Sequence, residues 1–192
     1  FDKVRIPPEL DAYLRETNPW WEGKPGRTLP PYKRWAFEVI LRKLKSGLAP
    51  AIILRGARQV GKTTLQEQVI EYLQSTEHVE PRRIFRLQFD EIPSLRGLKE
   101  PLLTIARWYE NRVLGKTFNA AARAGEKAYL FLDEVQNVTD WAPQLKALVD
   151  HHTLHVVVTG SSALRIEAGR DSLAGRITTL EIGTLLLREI AE

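Results

Sequence analysis

Two periods alternate along this chain. Ala51-Ile52-Ile53-Leu54, Ala128-Tyr129-Leu130-Phe131-Leu132 and Leu154–Val158 are short, nearly continuous apolar runs. Runs of this length predict strands covered on both faces. Arg83–Phe89 alternates apolar and polar residues and predicts a further strand, and Ile177–Ile182 is read as another. Between them the period lengthens. Leu10, Tyr13 and Leu14 share one side of a short helix over Glu9–Glu16. Phe37, Ile40, Leu41 and Leu44 do the same over Trp35–Lys45, with Gly47 as the stop. Helices are also predicted over Thr64–Leu73, over Pro101–Leu114 with Pro at its opening, and over Trp141–Asp150 with Leu145, Leu148 and Val149 inward. Strands alternating with helices imply parallel crossovers, hence an α/β sheet with helices on both faces. Ahead of this pattern, residues 1–31 are rich in Pro and carry Asn18-Pro19-Trp20-Trp21. They read as an arm laid across the core with its aromatic rings buried.

Composition narrows the function classes. At 192 residues there is room for one domain with a sizeable core. Lys and Arg number 28 against 24 Asp and Glu, a net charge of +4, and no long basic run appears. This excess permits nucleic-acid contact without arguing for it. With no Cys, disulfides, thiolate catalysis and Cys-based zinc sites are excluded. No apolar run approaches the roughly 18 residues of a membrane span, and no signal pattern opens the chain, so a cytoplasmic location is expected. The chain opens on Phe1 and contains no Met, the composition of an excised piece or of a chain shorn of its Met positions.

Chemistry enters between the first apolar run and the helix behind it. Gly56-Ala57-Arg58-Gln59-Val60-Gly61-Lys62-Thr63 reads G-x-x-x-x-G-K-T and leads into Thr64. A strand, a glycine-rich loop and a helix N-terminus are what a phosphate-binding loop requires. Successive backbone N–H groups face one concavity, and the helix dipole adds about half a positive charge. Lys62 is long enough to reach β- and γ-phosphates, and the Thr63 hydroxyl is a ligand for Mg²⁺. The whole stretch Gly56–Thr64 is therefore the candidate nucleotide-binding segment.

The second apolar run ends in Asp133-Glu134. Two carboxylates at the C-terminal end of a parallel strand lie where ligands bind in such sheets. Asp133 is read as a ligand to Mg²⁺, directly or through water, and Glu134 as the acceptor of a proton from attacking water. In Val156-Val157-Val158-Thr159-Gly160-Ser161-Ser162, Thr159 either orients the lytic water at the γ-phosphate or caps the next helix. Arg176 either stabilises γ-phosphate charge, in its own chain or a neighbour's site, or forms a surface ion pair. Gln136 and Asn137 either position the acids or are turn residues. Arg58 lies inside the loop, with a side chain free to face the nucleotide or turn away. His151, His152 and His155 straddle a helix end and a strand start, which argues against one metal-binding face. Arg82, Arg83 and Arg86 read as a solvated basic face.

These motifs resemble those of predicted bacterial and archaeal ATPases of the AAA+ class. Leu54–Leu65 is similar to their Walker A loop. Leu132–Asn137 with Trp141 is similar to their Walker B region. Val158–Ser162 and Ser172–Arg176 follow in the same order, and Asn18-Pro19-Trp20-Trp21 is similar to their lead-in. The resemblance implies a P-loop NTPase fold, a three-layer parallel sheet of strand order 5-1-4-3-2. It implies ATP binding and Mg²⁺-dependent hydrolysis, and the phosphate loop and acid pair together lead to the expectation of an ATPase that converts hydrolysis into a conformational change. By motif it assigns Lys62 and Thr63 to phosphate and metal, Asp133 to metal, Glu134 to water activation, Thr159 or a neighbouring serine to sensing the γ-phosphate, and Arg176 to an arginine finger. It divides the chain into an N-terminal arm, 1–34, and an ATPase domain, 35–192, truncated before a lid and a C-terminal domain. A nucleotide-gated binding module with little hydrolysis is the alternative. Self-association and a protein or DNA partner fit either reading; a membrane partner does not.

Overall fold

The computed structural model describes residues 4–90, 92–161, 173–185 and 189. Five strands form one sheet: β1 (Ala51–Gly56), β2 (Ile84–Gln88), β3 (Tyr129–Asp133), β4 (His155–Ser161) and β5 (Ile177–Glu181). Their order is β2-β3-β4-β1-β5, and every neighbouring pair is parallel. Read from β5, this is the 5-1-4-3-2 order implied by the resemblance.

Strand periodicity explains the layers. Alternate residues point to opposite faces, and both faces here are apolar. Ala51, Ile53, Phe85, Leu87, Leu130, Leu132, Val156 and Val158 belong to one core cluster. Helices α1 (Pro8–Thr17), α4 (Pro101–Tyr109), α5 (Phe118–Arg123) and α6 (Trp141–His151) contribute to that cluster. Ile52, Leu54, Ile84, Phe131 and Val157 point the other way, against α2 (Ala36–Ser46) and α3 (Lys62–Ser75). The sheet is therefore the middle of three layers.

Two local departures from the predicted pattern have physical causes. The helix expected over Pro101–Leu114 is α-helical only to Tyr109 and then widens into a π turn, Glu110–Leu114, closed by Gly115 in the left-handed region. Helix α5 has no counterpart in that pattern. It is six residues long with only Phe118 and Ala121 buried, too short for a periodic signal, and is held by the Thr117 hydroxyl accepting from the Ala120 N–H at 3.2 Å.

The arm is attached by specific bonds. Leu10 and Leu14 are fully buried. Strand β2 lies at the sheet edge, where unpaired backbone groups invite association. The Asn18 amide covers that edge by donating to the Arg86 carbonyl at 2.9 Å and accepting from the Arg86 N–H at 2.7 Å. Both indole N–H groups of Trp20 and Trp21 donate to the Ile84 carbonyl, at 2.9 and 2.8 Å. The Trp21 ring also stacks on Tyr109, 5.9 Å between centroids.

Candidate nucleotide-binding site

β1 ends at Gly56 and α3 begins at Lys62, so the loop occupies the C-terminal edge of the sheet. Gly61 has φ +90°, a conformation that side chains resist, and Gln59 takes φ +62° despite its side chain. Ala57, Arg58 and Gln59 are exposed at the bend. The Val60 carbonyl accepts from Arg34 at 2.9 Å, and the Thr64 hydroxyl accepts from Arg27 at 3.2 Å. The buried Lys62 ammonium donates to the carbonyls of Gly56 and Ala57, at 2.9 and 2.7 Å. Burial pushes Lys62 below its usual pKa, opposed by the carboxylates of Glu134 and Asp133 and reinforced by Arg58.

β3 brings the acids to this loop. Asp133 is fully buried. It accepts from the Thr63 hydroxyl at 2.8 Å and from the Thr159 hydroxyl. The Thr159 oxygen in turn accepts from the Glu134 N–H at 3.0 Å. Thr63, Asp133, Thr159 and Glu134 thus form one connected set spanning α3, β3 and β4. Glu134 itself has φ +57°, a strained turn at the strand end. Its carboxylate accepts from the Gln136 amide, and the Gln136 carbonyl oxygen accepts from the Ser161 N–H at 3.3 Å. Gln136 is therefore a positioning group, while Asn137 donates to Asp90 at 2.8 Å. Thr159 lies fully buried within β4. It faces the acids, and among the described residues it caps no helix.

The donor set fits Mg²⁺. Neighbouring ligands of an octahedral ion at 2.0–2.1 Å lie about 2.9 Å apart, close to the Thr63–Asp133 separation of 2.8 Å. All the donors are hard oxygens, and Mg²⁺ takes one or two carboxylates plus substrate phosphates. His155 stacks on Tyr129 and His152 meets Phe118 edge-on, so these histidines face different neighbours.

Arg176 is elsewhere. Its carbonyl accepts from the Ala51 N–H at 3.1 Å, which sets it beside the first residue of β1. The loop lies at the other end of that strand, five steps or about 17 Å away. Its guanidinium pairs with Asp150. A finger role within its own chain is thereby corrected. The surface ion pair is what forms, and only a neighbouring subunit's site remains open to this residue.

A cleft of about 910 Å³ opens beside the acids, bounded by Arg58, Gln59, Asp90, Arg96, Glu134 and Asn137, with Phe89 and Leu95 among its apolar walls. Against this geometry the similarity to known proteins is specific. A family model described as "AAA domain" matches residues 49–191. The chain belongs to this AAA domain family. The family comprises P-loop nucleotide-binding domains. An uncharacterized protein of Methanocaldococcus jannaschii is 30% identical over 161 residues, 82% of this AAA domain chain and 32% of that protein. Uncharacterized proteins of Mycobacterium bovis and Mycobacterium tuberculosis are each 26% identical over 145 residues, 74% of this chain and 27% of theirs. The chain thus spans 27–32% of the length of these curated relatives. A chain in the structure of Drosophila ORC bound to AT-rich DNA and Cdc6 superposes with a TM-score of 0.53 at 12% identity, covering 96% of this chain and 62% of that one. That likeness is one of fold.

The AAA domain also holds site residues that the sequence pattern misassigned or passed over. Arg86 is only 8% exposed and is no part of a solvated basic face. Its parity on β2 turns it toward α3. There it pairs with Asp133 at 3.3 Å and approaches Glu67 at 3.9 Å. Buried Gln66 donates to the carbonyls of Leu132 and Val157, at 3.3 and 3.1 Å, pinning α3 onto β3 and β4 beneath the acids. Arg34 holds the loop to the chain beyond β5 by donating to the Gly183 carbonyl at 2.8 Å. A charge at mid-strand in a sheet with helices on both faces was the available signal for Arg86.

Proposed function

We propose that this AAA domain binds ATP with Mg²⁺ and hydrolyses it, and that turnover drives a conformational change in the cytoplasm. The observation that carries this reading is the connected set Thr63–Asp133–Thr159–Glu134 facing the Lys62 loop. The loop N–H groups and the α3 N-terminus receive the phosphates. Lys62 then exchanges the carbonyls of Gly56 and Ala57 for β- and γ-phosphate oxygens. Thr63 and Asp133 would hold Mg²⁺, which would supply positive charge to the same phosphates. Thr159 fixes the backbone of Glu134 and one oxygen of Asp133, which sets the two carboxylates relative to each other. Glu134 accepts a proton from water as the water oxygen bonds to the γ-phosphorus. The bond to the β–γ bridging oxygen breaks, its electron pair leaves with ADP, and the proton passes on to solvent.

Phosphate release by the unaltered chain, Lys62→Ala and Glu134→Gln tests this reading. Lys62→Ala is expected to lose nucleotide binding, and Glu134→Gln to retain ATP while losing turnover by roughly a hundredfold or more. Equal rates in all three would reject it.

One observation favours a nucleotide-gated binding module instead. One oxygen of the Glu134 carboxylate is already engaged by the Gln136 amide, which leaves it fewer acceptor sites for water. Under this reading ATP orders the domain and the output is contact with a protein or DNA, or self-association. Rapid multiple turnover argues against it. A DNA partner further requires affinity that falls steeply with salt.

A further inference from the structure

We infer that Arg58, inside the phosphate loop, is the arginine that neutralises developing charge on the transferred phosphoryl group, supplied by the same chain that binds the nucleotide. This rests on the ATPase reading above and names a residue role within it.

The arginines near the site divide by what they already hold. Arg34 is committed to the carbonyls of Val60 and Gly183 and to Glu189. Arg55 pairs with Glu181. Arg86 is buried against Asp133. Arg176 pairs with Asp150 at the far edge of the sheet. Arg58 and Arg96 remain, both exposed and both on the wall of the cleft that Glu134 shares. Among the described residues neither forms an ion pair. Arg58 is the better placed, because it belongs to the loop itself, four residues before Lys62, and lines the cleft beside Glu134.

That proximity is the physical argument. Arg58 and Lys62 are two cations four residues apart in one short loop, and like charges held that close repel each other. A loop built this way is incomplete without an anion. The γ-phosphate removes the repulsion between the two, and a guanidinium beside it meets the charge spread over its equatorial oxygens and the leaving oxygen as the bond to ADP breaks. A planar guanidinium presents parallel N–H groups to two phosphate oxygens, which an ammonium does not. Glu134 on the same cleft wall puts the attacking water and the neutralising cation on one side of the phosphate.

The test uses the full chain, Arg58→Ala, Arg58→Lys and Arg176→Ala. Two quantities are measured: ATP turnover at several protein concentrations, and calorimetric affinity for MgADP with and without aluminium fluoride, which mimics the phosphoryl group in flight. Arg58→Ala is expected to lower kcat by roughly 10²–10³-fold. It should leave MgADP affinity within a few-fold and abolish the tightening by aluminium fluoride. Arg58→Lys should recover part of both, and Arg176→Ala should match the unaltered chain. If the unaltered chain turns over ATP and captures aluminium fluoride, and Arg58→Ala matches it in both, this inference fails and the ATPase reading stands. The inference fails in the same way if Arg176→Ala, and not Arg58→Ala, loses both. If the unaltered chain does neither, both readings fall.

Discussion

Gly56 shows how narrowly single positions constrain the site. A Cβ built there would lie 2.2 Å from the Ile182 carbonyl oxygen, a backbone atom that no rotamer change can move. Ile182 is itself tied to β1, its N–H donating to the Arg55 carbonyl at 2.7 Å. Gly56→Ala must therefore push the chain leaving β5 away from β1. We expect a loss of about 1–3 kcal/mol in chemical denaturation and weaker nucleotide binding. An unchanged denaturation midpoint would show that the chain leaving β5 yields to the new methyl group without cost. Gly61 differs: nothing lies within 4 Å of a Cβ there, and only its φ of +90° resists substitution. Both glycines were legible because the loop motif is contiguous, so spacing alone carries the chemistry. Arg86 was not legible in the same way. Its partners Glu67 and Asp133 come from other elements, and only strand register and parity bring them within 4 Å. A buried charge left without its partner costs several kcal/mol, which is why this arginine occupies a position that composition would give to an apolar residue.

At the scale of elements, the N-terminal ends of β3 and β4 carry a pH dependence unrelated to the nucleotide site. Tyr129 and His155 are paired across these strands, and their rings stack 4.6 Å apart at 22°. Burial, with Lys127 and Arg83 nearby, pushes His155 from 6.5 to about 4. The folded chain thus keeps His155 neutral down to about pH 4, whereas the unfolded chain protonates it near 6.5. Below 6.5 the unfolded state binds the extra proton, so stability is lost as pH falls through this window and levels off beneath it. The ceiling is roughly 3 kcal/mol, because about 2.5 pH units carry about 1.4 kcal/mol each. His155→Phe keeps an aromatic ring on Tyr129 and has no proton to bind. Its stability should vary less between pH 6.5 and about 4 than that of the unaltered chain; parallel curves would remove His155 as the cause. The strands themselves could be read from the sequence because each is a short apolar run. The π turn and α5 could not, because a widened turn leaves no period and six residues are too few to show one.

The whole molecule depends on how the arm is joined to the rest. By motif, residues 1–34 are expected to be an arm or linker packed on a core domain that starts at 35. The bonds describe something more integrated. Leu10 and Leu14 complete the core on the α4 face, where the Trp108 indole N–H also donates to Asp11 at 3.2 Å. Asn18, Trp20 and Trp21 cover the β2 edge at Ile84 and Arg86. Arg34 ends the arm on the phosphate loop. One segment therefore touches a core face, the open sheet edge and the nucleotide site, and at Arg86 it fixes the strand whose side chain meets Asp133. A chain beginning at Lys33 keeps Arg34 but loses the first two attachments. It would expose the apolar surface under α1 and free the backbone groups of β2 to pair with another copy. We expect this truncated chain to elute as an aggregate in size-exclusion chromatography and to lose its cooperative thermal transition. A monodisperse product with an unaltered midpoint would instead make the arm a true linker, and would sever the path from Asn18 through Arg86 to Asp133.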